Sequence, residues 1–149
     1  MHMTTLEELK NILEKNRDKK ITVVGTTCTG KSTFLKEIPE GIEISKLAPP
    51  LTDAEKEFYY HAPLTKENNE KMIAMVAKRA FARAGEPVFG TAIANGTELV
   101  VHLTIDDALL KKRTEMRGVD FAYAKTMQEF MEEEIRESGL PVVEIAVRE

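Results

Sequence analysis

At 149 residues, 42% hydrophobic and 31% charged, the chain has the composition of a single ordinary globular domain. A net charge of −4 leaves no dominant basic face, so nucleic acid is not an expected partner. The one cysteine, Cys28, excludes a disulfide framework, and no run approaches the roughly 18 apolar residues of a membrane span.

Thr5 and Glu8 fit a capping box, and Leu6, Leu9 and Leu13 share one face after it, which predicts a helix over 5–16. The β-branched run 21–24 ends at Gly25 and reads as a buried parallel strand. A helix over 31–38 follows, stopped by Pro39, and 42–44 is a weak second strand. After the break at Pro49 and Pro50, Thr52 and Asp53 can cap a helix to Tyr60. Thr65 can cap the next, where Met72, Ile73, Val76 and Ala80 recur at helical spacing until Gly85. Residues 87–93 and 99–105 read as two further strands. Asn95-Gly96 between them resembles a hairpin turn, but the connection is too long and both runs are apolar on both faces, as parallel strands are. Helices are predicted over 107–117 and 121–137, the latter with Tyr123, Met127, Phe130 and Ile135 inward, before a last strand over 141–147. Strands alternating with helices predict one α/β domain, 1–149, on a parallel sheet. No signal-like segment precedes the first helix, so a reducing, cytoplasmic setting is expected.

Gly25-Thr26-Thr27-Cys28-Thr29-Gly30-Lys31-Ser32 matches G-x-x-x-x-G-K-[ST], placed between a strand and a helix. The glycines admit backbone angles that turn successive N–H groups toward a phosphate. Lys31 supplies a positive charge for the β- and γ-phosphates, Ser32 a hydroxyl for magnesium, and the helix start, with Thr33, the positive end of its dipole. The expected ligand is a nucleoside triphosphate, ATP with Mg2+. Cys28 reads either as a thiol activated at a helix start or as a loop position that offers only its N–H.

The P-loop, strand pattern and length resemble the small P-loop kinases: nucleoside monophosphate, nucleoside and shikimate-type kinases. The stretch 98–118 resembles their fourth strand and arginine-bearing lid helix, and 139–145 their entry into strand five. The resemblance implies a three-layer α/β P-loop NTPase fold with a five-stranded parallel sheet of order 2-3-1-4-5. It also implies a phosphotransferase acting on an unidentified small-molecule acceptor. The lid match falls on Arg113 and Arg117, one turn apart, which would close over the phosphates.

Two features depart from that pattern. The kinases place an acid at the end of strand three, whereas this stretch reads Val88-Phe89-Gly90-Thr91-Ala92-Ile93. Asp106, after the fourth strand, is the candidate magnesium partner beside Ser32, with helix capping as its alternative role. Asp53 is the candidate acceptor base, with N-capping as its alternative, and Glu43 on the second strand ranks below it. The family's element behind strand five has no counterpart here, so the first helix is expected to cover that sheet face. The adenine contact would then come from the lid and the tail. His61 and His102 have no partner at metal-ligand spacing. A GTPase is disfavoured: no D-x-x-G follows the loop, and Thr65-Lys66-Glu67-Asn68 lacks the aspartate of a guanine reader. The alternative to a kinase is a non-catalytic ATP-binding regulatory protein or a slow ATPase.

Overall fold

The computed structural model describes residues 3–148. Strand β1, Ile21–Val24, is buried along its whole length and forms the centre of the sheet. It pairs in parallel with β3, Val88–Gly90, on one side and β4, Leu99–Thr104, on the other. The edges are β2, Ile42–Glu43, and β5, Val142–Ala146, giving the order β2-β3-β1-β4-β5 with every pairing parallel. This is the expected topology, and no hairpin joins β3 to β4.

Helices cover both faces. On one face lie α1, Thr5–Lys15, α2, Lys31–Glu37, and α6, Asp107–Arg117. Leu9 and Leu13 of α1 pack in one core with Val23, Val101, Leu103 and Ile145, so α1 covers the face beside β5 as expected. Its cap is Thr4, whose hydroxyl accepts from the Glu7 amide at 3.1 Å, one residue earlier than the sequence suggests. The Thr5 hydroxyl instead donates to the Ala146 carbonyl and accepts from the Arg148 amide at 3.2 Å.

The other face carries the short α3, Ile44–Leu47, then α4, Asp53–His61, α5, Lys66–Met75, and the long α7, Phe121–Ser138. Thr52 and Glu55 form a full capping box on α4. Glu55 also receives both Arg79 nitrogens, at 3.2 and 2.6 Å, and that guanidinium, with the Thr52 amide, holds the Glu55 carboxyl down at about 2. The helix expected to run until Gly85 ends at Met75 and becomes a 3-10 turn, Ala77–Arg79. The Asn95 amide draws on the carbonyls of Ala77 and Ala80, so a tertiary contact outcompetes helical continuation. On α7 the buried stripe is Ala124, Gln128, Met131 and Ile135, offset by one position from the predicted one except at Ile135, while Tyr123 is 44% exposed.

Candidate nucleotide site

The loop after β1 is held from beneath. The Thr26 hydroxyl donates to the Ala124 carbonyl at 2.6 Å, tying the loop to the start of α7. The Thr29 hydroxyl donates to the Thr26 carbonyl at 2.8 Å and closes the turn. Gly25 has no room for a side chain: a Cβ would lie 2.6 Å from Thr29 Oγ1 and 3.2 Å from Leu103 Cβ. Gly30 enters α2 at φ 97°, and Cys28 takes φ 68° despite its side chain. No side chain caps α2, and among the described residues no carbonyl accepts from the amides of 28–33. That row of unpaired donors is the chemistry of an anion cradle.

Lys31 folds back across the loop. Its ammonium donates to the Gly25 carbonyl, to the Thr26 carbonyl at 2.9 Å and to Thr29 Oγ1 at 3.4 Å. Burial lowers its pKa to about 8; Cys28 and Glu43 pull it up and Arg117 pushes it down. Ser32 and Thr33 are exposed on the first turn of α2. Thr27, half-buried, makes only a long contact to the Cys28 sulfur.

Both predicted arginines converge on this loop from α6. Arg113 Nη1 donates to the Cys28 carbonyl at 3.2 Å, and Arg117 is close enough for its charge to act on Lys31. Together with Gly30, Phe34, Met116 and Arg148 they line a cleft of about 660 Å³. Met116 and Arg148 lie in the segments expected to meet the adenine, the predicted lid and the tail, whereas Phe34 on α2 was not singled out by sequence reasoning.

The carboxylates are distributed differently from expectation. Asp106 Oδ1 accepts from the Leu109 amide at 2.8 Å and caps α6, and no described contact joins it to Ser32. Asp53 is exposed on the first turn of α4, with no described contact to the loop. Glu43 is the carboxylate whose charge reaches Lys31. It also acts on Tyr59, whose pKa burial raises. The charge of Glu43 thus acts both on Lys31 of the loop and on Tyr59, which lines a second cavity of about 100 Å³ with Met72, Thr91, Ala92, Tyr123 and Met127 among others. The signal for Glu43 was the length of β2: a strand of two residues puts its last side chain at the carboxyl edge of the sheet.

Among the described residues no group of three His, Cys, Asp or Glu side chains could hold a metal ion. The Ser32 hydroxyl fits magnesium only as one ligand among phosphate oxygens and water. His102 is buried on β4, in register with Val24 and Glu144, and its Nε2 has no partner among the described residues. His61 is exposed at the end of α4. Among the described residues no helix is long and apolar enough to cross a membrane.

A gluconokinase from Sinorhizobium meliloti 1021 superposes with a TM-score of 0.52 at 18% identity, covering 90% of this chain and 85% of that one. The chain has an α/β P-loop NTPase fold. The hydrogenase maturation factor HypB from Archaeoglobus fulgidus aligns over 95% of this chain and 88% of that one at 11% identity, with a TM-score of 0.30. No family model and no curated protein matches the sequence. In this P-loop fold the loop stands at the carboxyl edge of β1, the central strand, with the α6 arginines on one side and Glu43 on the other.

Proposed function

We propose that the chain is an ATP-dependent phosphotransferase acting on a small, uncharged hydroxyl compound. The observation that carries this reading is an anion cradle with Lys31, Arg113 and Arg117, together with one carboxylate, Glu43, whose charge acts both on Lys31 and on Tyr59 of a small cavity. The amides of the loop and Lys31 would hold the phosphates, exchanging the Lys31–carbonyl bonds for bonds to phosphate oxygens. Ser32 would hold magnesium with those oxygens; Asp106 could add to it only through the carboxylate oxygen not used as a cap. Arg113 and Arg117 would spread charge from the moving phosphoryl group.

The small cavity has no charged lining residue, which supports a neutral acceptor over an acidic one. Its oxygen would form the new P–O bond as the bond to the bridging oxygen breaks, ADP leaves, and the hydroxyl proton passes to Glu43. Asp53 is ranked below Glu43 because it has no described contact to the loop, whereas the charge of Glu43 acts on Lys31.

A second reading, nucleotide binding without transfer, is favoured by the stretch after β3, which has no acid, and by the commitment of Asp106 to its cap. The two separate in an ATP-consumption screen over neutral alcohols, nucleosides and hydroxy acids, with Lys31→Ala as the blank. A kinase gives acceptor-dependent ADP, and Arg117→Ala lowers that rate by roughly a hundredfold while ATP affinity falls far less. If no acceptor raises consumption and Arg117→Ala leaves the background unchanged, the kinase reading gives way to the binding one.

A further inference from the structure

The crossovers β1 to β2, β2 to β3 and β4 to β5 each contain at least one helix. The crossover from β3 to β4 does not: residues 91–98 pass over β1 without forming one. This strap is firmly built. The Ala94 amide donates to the Thr22 hydroxyl at 3.3 Å, which lies 2.6 Å from the Thr97 hydroxyl. The Ile93 amide donates to Glu134 Oε1 at 3.0 Å, tying the strap to α7. Parallel crossovers usually carry a helix at this place, and here the layer above the strap is left open.

The opening is a groove of about 600 Å³ between α5 and α7. Ile73 on α5, Ile93 and Ala94 on the strap, and Phe130 on α7 make its apolar part. The lining of α7 runs from Phe130 to Ser138 and that of α5 from Lys66 to Ala74. At 1.5 Å per residue each wall is roughly 12 Å long, or about two helical turns. Four carboxylates, Glu70, Glu133, Glu134 and Glu137, face two ammonium groups, Lys66 and Lys78. Lys66 is already held by Glu133 at 2.6 Å. Glu134 is half-buried, and desolvation raises its pKa, with Glu137 adding repulsion. The groove is therefore apolar at its base and acidic at its rim.

We propose that this groove docks a short, basic, amphipathic helix of a partner protein, seated in the layer that the helix-free crossover leaves open. Apolar residues at i and i+4 would meet Ile73, Ile93 and Phe130, and flanking lysines or arginines would meet Glu70 and Glu137. Two turns bury far less than a standard interface, so the association is weak and salt-sensitive. A free peptide of two turns does not hold a helix in water, so the segment must be presented by a folded partner or constrained chemically. The proposal does not depend on the nucleotide reading.

The test uses a set of hydrocarbon-stapled helices about twelve residues long, with leucines at i and i+4 in each register and lysines flanking them. They are titrated into the full-length, isotope-labelled protein, and amide shifts are followed. Saturable shifts confined to Ile93, Ala94, Phe130 and their neighbours are expected, weakened at least tenfold in the double variant Glu70→Lys, Glu137→Lys. Both positions are exposed, so the fold is kept, and an unchanged melting temperature of that variant serves as the control. Three results would each overturn the proposal: no groove-centred shifts at millimolar peptide, equal binding of glutamate-flanked peptides, or equal binding to the double variant. The same shifts produced by spermidine in competition with the peptides would also overturn it, reassigning the groove to a small cation.

Discussion

Raising the pH from 7 to 9 should weaken ATP binding about tenfold, through Lys31 alone. Burial lowers this lysine to about 8, so at pH 7 some nine in ten copies carry the charge and at pH 9 about one in eleven do. Phosphate oxygens against the ammonium favour its protonated form and return its pKa upward in the complex. Binding at pH 9 then requires uptake of nearly one proton, and the loss of affinity is one pKa unit's worth, about 1.4 kcal/mol. Titration calorimetry at pH 7, 8 and 9, in paired buffers of different ionisation heat, measures both the affinity and the proton uptake. Lys31→Ala should bind weakly at every pH, with no uptake. Equal wild-type affinity at pH 7 and 9, or uptake that survives in Lys31→Ala, would refute the placement of a phosphate against this side chain.

Gly25→Ala should cost roughly 1–3 kcal/mol in urea denaturation, because the new methyl group meets Thr29 Oγ1 at 2.6 Å and Leu103 Cβ at 3.2 Å with no room to yield; unchanged stability would show that the loop is looser than described. Burial lowers the His102 pKa, so the unfolded chain binds the proton more readily, and His102 contributes a stability loss that grows as pH falls below about 6.5. His102→Leu, which also removes the unpartnered Nε2, should flatten the acid side of a melting-temperature profile between pH 5 and 7.5; parallel profiles for the two proteins would count against it.

What the sequence made legible was what local chemistry decides. β1 and the loop follow from a β-branched run meeting glycines at fixed spacing. Helix α6 was bounded correctly because Asp106 caps its start and Gly118, at φ 68°, ends it. Arg113 and Arg117 were singled out by the resemblance to the small P-loop kinases, and four residues apart on a helix means one face. Tertiary competition hid the rest. Thr4 and Thr5 are equally good caps in isolation, and only the approach of β5 assigns the Thr5 hydroxyl elsewhere. Tyr123 and Met127 looked like core residues of α7, but they line the small cavity while the smaller Ala124 takes the buried place. Glu43 was ranked below Asp53 because its strand was read one residue too long, which hid its position at the sheet edge.

The seam between α1 and the end of β5 bears on how the chain folds as it is made. Besides the two Thr5 bonds, the Arg148 guanidinium donates to the Met3 carbonyl at 2.7 Å and to Glu8 at 3.0 Å. These partners lie 140 to 145 positions apart. A ribosome adding roughly 5–20 residues each second needs between about seven and thirty seconds to cover that distance. Throughout that interval Leu9 and Leu13 lack strand β5 of the core they enter, although α1 emerges before every other described element. Closing so long a loop costs chain entropy before any contact is gained, so folding should be slow relative to a helical bundle of this size. The nascent leucine face is where a chaperone would bind, and its release would coincide with the arrival of β5.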